Sequence, residues 1–257
     1  MPSYSRFAAQ EVALADDWSQ RAVTEHTWAP GQPIGLGESG SIRVTRSDGI
    51  CGVAKPAFQA GTDMPRAAHE KIASDLANIL GIPVPPVTLW LNPTNQQLFA
   101  ISALAFRQPL TWDQAGAMLT AKFRENALAV MAAGWVFHTW IADTDHGGNG
   151  GNVLIDAESN EDSPGIAFID HAFSMSYNWN QQAAHCVPLP GYYAPIGSMP
   201  ADAIADVVRK VQGVDTQTLR RLIDRVPRVY LPETRAKVIE ECLHRRQTEL
   251  VSAFGLA

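Results

Sequence analysis

Two stretches of this chain have residue types and spacings that chemistry uses. One is Asp143-Thr144-Asp145-His146-Gly147-Gly148-Asn149-Gly150-Gly151-Asn152, and the other is Phe168-Ile169-Asp170-His171. Carboxylates and an amide oxygen are hard ligands, suited to magnesium. The apolar runs Val153-Leu154-Ile155 and Ile166-Ala167-Phe168-Ile169 read as a hairpin whose open end would hold Asn152 and Asp170 near each other. An aspartate of the preceding loop would face the same space. Upstream, Lys55 ends Val53-Ala54-Lys55 and can point at phosphate oxygens as a point charge. Glu70, on the helix that follows, can hold that lysine in an ion pair. Earlier still, Gly35-Leu36-Gly37-Glu38-Ser39-Gly40-Ser41 has the GxGxxG spacing. Such glycines let a backbone approach phosphates and offer amides to an anion. A metal, a lysine, a phosphate cradle and an aspartate that orients a hydroxyl are what phosphoryl transfer needs.

Each feature alone has an ordinary reading. A single lysine or glutamate is most often solvated, glycines make flexible turns, and aspartates cap loops. The order of the four features along the chain favours the chemical reading. The glycines precede a strand pair, not a helix, which argues against a Rossmann site. It argues for a glycine-rich loop lying over phosphates from a hairpin. A second chemistry would use His138, Asp143, Asp145, His146, Asp170 and His171 as zinc, manganese or iron ligands in a metallohydrolase. The chain has no HExxH, and that reading leaves Lys55, Glu70 and the glycines unused. His138 falls deep in a helix and reads as a packed histidine.

The elements that must position these residues are legible in outline. Residues 1–29 are mixed, and Pro30, Gly31 and Pro33 mark a boundary. Residues 41–46 alternate and are β-branched, Ser47-Asp48-Gly49 is a turn signal, and residues 50–55 complete a hairpin. A helix should start near Asp63, with Pro65 in its first turn, and run to Leu80, where Gly81 and Pro83 stop it. Ile72, Leu76 and Ile79 give it one apolar face, and Glu70 lies off that face beside the small residues Ala73, Ser74 and Ala77. Strands are expected over 87–91 and 98–105. A long helical face follows through Phe123, Ala127, Val130, Met131, Gly134, Phe137 and Ile141. Three more helices are expected over 202–212, 216–225 and 232–252. Arg220, Arg221, Arg245 and Arg246 read as solvated faces.

Composition narrows the class. The chain has 257 residues, 46% hydrophobic and 18% charged, which excludes a disordered polymer and allows a core without staples. The net charge of −6 argues against direct nucleic-acid binding. The sequence shows no apolar run long enough to span a bilayer, and its first residues carry acids early and no apolar signal core. Cys51, Cys186 and Cys242 are widely spaced and odd in number, which predicts no disulfide framework and a reducing cytoplasm.

These features together resemble the HipA-like atypical kinases and, more distantly, the phosphatidylinositol 3- and 4-kinases. Three stretches carry the resemblance: HEKIASDLANILGIPVPPVTLW, ADTDHGGNGGNVLI and AFIDHAFSM. The likeness covers roughly residues 35–175. It implies an α+β, two-lobed kinase-like fold, with a small β-rich N-lobe carrying one main helix (1–106) and a larger, mostly helical C-lobe (107–257). A hinge would fall around Ile101 to Phe106. By this resemblance ATP binds in the cleft with Mg2+. Lys55 matches the phosphate lysine, Glu70 its ion-pair partner, Asp145 the catalytic aspartate, and Asn152 and Asp170 the metal ligands. Gly35, Gly37, Gly40 and Ser41 would cover the phosphates. The family pattern places the asparagine five residues after the aspartate, where this chain has Gly150. Asn152 comes seven after, so Asn149 is a rival ligand and Asp143 a rival base. The implied activity is a bacterial cytoplasmic kinase acting on a protein serine or threonine, or on a small-molecule hydroxyl, with an antitoxin-like partner possible. The alternative is a nucleotide-binding pseudokinase serving as an interaction module.

Overall fold

The computed structural model describes residues 22–34, 40–58, 64–116, 118–143, 145–175 and 199–256. Strands β1 (Trp28–Pro33), β2 (Ile42–Arg46) and β3 (Cys51–Pro56) precede helix α1 (Arg66–Leu80), and β4 (Val87–Leu91) and β5 (Leu98–Ala103) follow it. These five strands form one antiparallel sheet in the order β1-β2-β3-β5-β4. Val44, Ala54 and Ile101 point to one face of it with Trp28, Trp90 and Phe99. Leu89 and Ala100 belong to the larger core that includes α1.

Strand β1 is absent from the sequence-based outline because Pro30 and Pro33 read as boundary residues. Among the described residues it is an edge strand, paired with β2 alone and broken by a register shift between Pro30 and Pro33. Prolines are tolerated there because an edge N–H has no ladder partner to lose. Helix α1 begins at Arg66 with Pro65 at its N-cap, later than expected. Gly81 ends it in the left-handed conformation (φ 71°), which glycine adopts without steric cost. Ile79 is 43% exposed, so the expected apolar face is corrected: Ile72, Leu76 and Leu80 carry the core contact. Almost every other residue of α1 is buried as well, the charged ones included.

The C-terminal part contains β6 (Pro109–Thr111), a short helix α2 (Trp112–Ala115), and the long α3 (Ala121–Trp140). Then come β7 (Val153–Asp156), β8 (Ile166–Phe168), α4 (Ala201–Gln212), α5 (Thr216–Asp224) and α6 (Glu233–Ala253). The expected hairpin is β7–β8, and β6 adds a third antiparallel strand that the sequence did not signal. Three residues with two of them polar or proline carry too little pattern to read. The three late helices lie within a residue of expectation.

Arg246 is a second correction. It is 5% exposed, not solvated, because its guanidinium donates to the carbonyls of Thr139 and Trp140 at the end of α3. Burial lowers its pKa to about 10. Trp140 Nε1 donates back to Leu243 O at 2.9 Å. The last carbonyls of a helix have no partner within it, so α6 serves as the cap of α3. The third correction concerns cysteine. Cys242, fully buried on α6, is disulfide-bonded, and Cys51 is free. Among the described residues no helix is long and apolar enough to cross a membrane.

Candidate functional site

Lys55, Glu70, Asp145, Asn152 and Asp170 lie where α1, β3, the loop after α3 and the end of β8 meet. Lys55 lies on β3 opposite Ala100 of β5. Its Nζ is 2.6 Å from Glu70 Oε1 and 2.8 Å from Asp170 Oδ1. Glu70 Oε2 accepts the backbone N–H of His171 at 3.2 Å. One glutamate thus joins strand, helix and the Asp170 segment. Its depth is explained by its neighbours. Ala73, Ser74 and Ala77 are fully buried, so the helix backbone lies close to the sheet. Ser74 Oγ donates to Pro85 O at 2.9 Å and accepts from Val87 N at 3.1 Å, pinning α1 to the start of β4.

Burial would lower the Lys55 pKa, but the Glu70 and Asp170 carboxylates outweigh it and hold the ammonium above its usual range. Burial, helped by the Asp170 charge, raises Glu70 against the pull of Lys55. Burial also opposes ionisation of Asp170, yet the lysine prevails and keeps that carboxyl below its usual range. Asp170 takes a left-handed backbone (φ 65°), which aspartate tolerates better than most residues.

Asn152 is positioned by the hairpin. Val153 pairs with Phe168, and the N–H of Ile169 donates to Asn152 O at 2.9 Å. This puts the backbones at 152 and 169–170 side by side, as the hairpin reading required. Asn152 Nδ2 donates to Asp145 Oδ2 at 2.7 Å, and Asn149 Nδ2 reaches the same oxygen at 3.4 Å. Asn149 is exposed, and its own Oδ1 accepts from Gly151 N at 3.1 Å, capping the 3-10 turn Gly150–Asn152. Asp143 is different in kind. Its side chain is fully buried, 3.0 Å from His146 Nδ1, and it accepts the N–H of Asp145 at 3.1 Å. Glycine at position 150 has a local cause. A Cβ there would lie 2.1 Å from Asp113 Oδ1, so the α2 side chain occupies the space a side chain at 150 would need.

Gly35 and Gly37 lie outside the described residues. Gly40 (φ 61°) and Ser41 are inside them, and Ser41 O accepts from Ile34 N at 2.9 Å. The structure therefore shows the two ends of the glycine segment close together at the top of the β1–β2 pair.

Two contacts of the site escaped sequence reasoning. A ring nitrogen of His69 lies 3.1 Å from Ala172 O, and the Arg66 guanidinium lies 4.7 Å from the Phe173 ring centroid. With Glu70, they fasten one side of α1 to residues 171–173. The only signal in the sequence was the run of polar residues at the start of an otherwise apolar helix. Lys71 and Asp75, also buried, pair at 2.8 Å within α1.

No family model matches this chain, and no curated protein matches it in sequence. Solved structures do match in fold. The Helicobacter pylori proinflammatory kinase CtkA is similar with a TM-score of 0.62 at 13% identity, over 91% of this chain and 96% of that one. The Golgi casein kinase is similar with a TM-score of 0.56 at 9% identity, over 98% of this chain and 77% of that one. The same kinase with Mn/ADP bound gives 0.57 at 9% identity, over 97% and 78%. The chain has an α+β, two-lobed kinase-like fold, with a small β-rich lobe carrying α1 and a larger, mostly helical lobe.

Proposed function

We propose that this chain is an ATP- and magnesium-dependent phosphotransferase that acts on a hydroxyl, with a protein serine or threonine as the favoured acceptor. The observation that carries this reading is the Lys55 ammonium held between Glu70 and Asp170, with the Asp145–Asn152 pair at the open end of the same hairpin. The lobes divide at about residue 106, and the nucleotide lies between them. Lys55 orients phosphate oxygens, and Glu70 fixes the lysine. Gly35, Gly37, Gly40 and Ser41 lie over the phosphates.

The donor set fits magnesium, because Asp170 is held ionised by Lys55 and Asn152 adds a neutral hard oxygen. When bound, the ion neutralises charge on the transferred phosphoryl group. Asp145 accepts the acceptor's hydroxyl proton. It is preferred to Asp143, whose carboxylate is enclosed beside His146 and cannot meet a substrate. Asn152 is preferred to Asn149, which caps its own turn. Within the kinase fold, the LGIPVPP stretch and the ADTDHGGNGGNVLI loop support HipA-like kinship.

The test is thermal unfolding with nucleotide, followed by transfer from labelled ATP and mass spectrometry of the labelled species. ATP with Mg2+ should raise the melting temperature more than ATP alone. No shift with ATP, ADP or GTP at millimolar concentration would remove the reading.

A further inference from the structure

Three imidazoles that phosphoryl transfer leaves unused meet beside the candidate site. His138 comes from the last turns of α3, His146 from the loop that carries Asp145, and His171 directly follows Asp170. None is more than 2% exposed. One nitrogen of each lies within 4.8 Å of the others. Nε2 of His138 and Nε2 of His171 face each other at 3.2 Å. His146 stacks on both rings, with centroids 3.9 Å and 4.7 Å away. His146 Nε2 and Asp143 Oδ2 are buried without a well-formed hydrogen bond. Buried polar atoms in that state call for an explanation.

We infer that His138, His146 and His171 form a site for one transition-metal ion of the zinc class, separate from the magnesium position at Asn152 and Asp170. Two neighbouring nitrogens on a tetrahedral ion with bonds of 2.0–2.1 Å stand about 3.3 Å apart. The His138–His171 pair already has that spacing. A neutral imidazole keeps one nitrogen lone pair for an ion. His146 completes the set by turning its ring out of the stack, which carries Nε2 off the Ile169 backbone and toward the pair. Asp143 stays on Nδ1, an arrangement of carboxylate behind histidine that orients metal ligands elsewhere. Imidazoles favour zinc, copper, iron or nickel over magnesium. The fourth position falls to water. Because the site is enclosed, the ion enters as the chain folds. It ties the end of α3, the Asp145 loop and the Asp170 segment to one point.

The test uses full-length protein from cells grown with Co2+ in place of Zn2+, purified with excess Mg2+ and without chelator or metal-affinity resin. Elemental analysis should find close to one cobalt per chain after gel filtration, with the intense visible bands of tetrahedral Co2+. His138→Leu and His171→Leu should each lose those bands. If these variants do not fold, wild-type protein refolded from urea in constant Mg2+ decides: Zn2+ should raise its melting temperature, and a zinc-selective chelator should reverse the gain. A wild-type chain that retains no transition metal and gains nothing from Zn2+ on refolding overturns the inference. So does a folded His138→Leu with unchanged cobalt bands. The inference stands apart from the phosphotransfer reading, whose failure shows separately as a missing ATP–Mg2+ shift in the same preparations.

Discussion

Alanine at position 134 separates local propensity from packing. Gly134 lies inside α3, where glycine is worth about 1 kcal/mol less than alanine, so propensity alone predicts that Gly134→Ala stabilises. The structure predicts the reverse. A Cβ there would stand 2.4 Å from Cζ of Phe168 and 2.8 Å from Cε1 and Cε2, against the 3.4 Å at which ordinary contact begins. Helix or ring must therefore move by about 1 Å. Phe168 is fully buried, with the His138 ring edge-on at 5.1 Å, so the ring has nowhere to turn. Overpacking of this kind costs about 3 kcal/mol at the upper end of its range, which leaves about 2 kcal/mol of net loss. In a chain of this size that lowers Tm by about 4–8 °C. Because Phe168 precedes Asp170 by two residues, nucleotide-dependent stabilisation should weaken too. Thermal unfolding followed by circular dichroism measures the first effect. Adding Phe168→Leu should recover at least half of the loss, although it leaves a void of its own in the wild type. A Gly134→Ala protein that melts at or above the wild-type temperature would refute the packing of α3 on β8.

Other outcomes follow from the same geometry. Asp145→Asn should keep the ATP–Mg2+ thermal shift and lose at least a hundredfold in transfer, the lower end of general-base effects. Asp143→Asn should chiefly lower Tm; a dead Asp143→Asn beside an active Asp145→Asn would reverse the roles in this loop. Lys55→Met should abolish the nucleotide shift and destabilise the chain by about 3 kcal/mol, since Glu70 is left buried without its cation. His69 is held at about 3, chiefly by burial with Arg235 adding to it, whereas an unfolded histidine titrates near 6.5. The unfolded chain therefore takes up a proton between those values and the folded one does not. His69's contribution to stability is complete above about pH 6.5 and is lost as pH falls, by about 2 kcal/mol at pH 5. Denaturant titrations of wild type and His69→Gln from pH 7.5 to 5 should converge by that amount; parallel curves would show that His69 is not the group responsible.

The grouping of the candidate residues was legible in sequence because they sit at the ends of strongly patterned elements. Val153-Leu154-Ile155 and Ile166-Ala167-Phe168 define a hairpin without help, and the hairpin fixes which residues stand at its mouth. Glu70 was legible for a related reason, since small residues one turn away mark where a helix can approach a sheet. What failed was anything decided by a distant partner. Arg246 looks like a surface charge until the open end of α3, more than a hundred residues earlier, is seen to need donors. His138, His146 and His171 were grouped in the sequence only with the aspartates of a metallohydrolase, and His138 by itself read as a packed histidine; that their rings touch was not legible from spacing. Ile79 has the right period but faces outward, while Leu80, one position on, turns into the core. Strand β1 was hidden by its prolines, which are acceptable only because that strand is outermost.

The capping of α3 by α6 sets a schedule for biosynthesis. Thr139 and Trp140 receive their donors from Arg246, and Trp140 gives its own proton to Leu243. A ribosome adding about 5–20 residues per second needs about 5–20 s to travel from one set to the other. Through that interval the strands and α1 of the small lobe are already made, while the Thr139 and Trp140 carbonyls lack their Arg246 donors and the side of α3 that α6 will cover is exposed. The nascent chain is then half a kinase-like fold with an adhesive flank, the state in which chaperones engage and aggregates start. Cutting the gene ahead of codon 243 would make that state permanent, and the site would be lost without any of its own residues being touched.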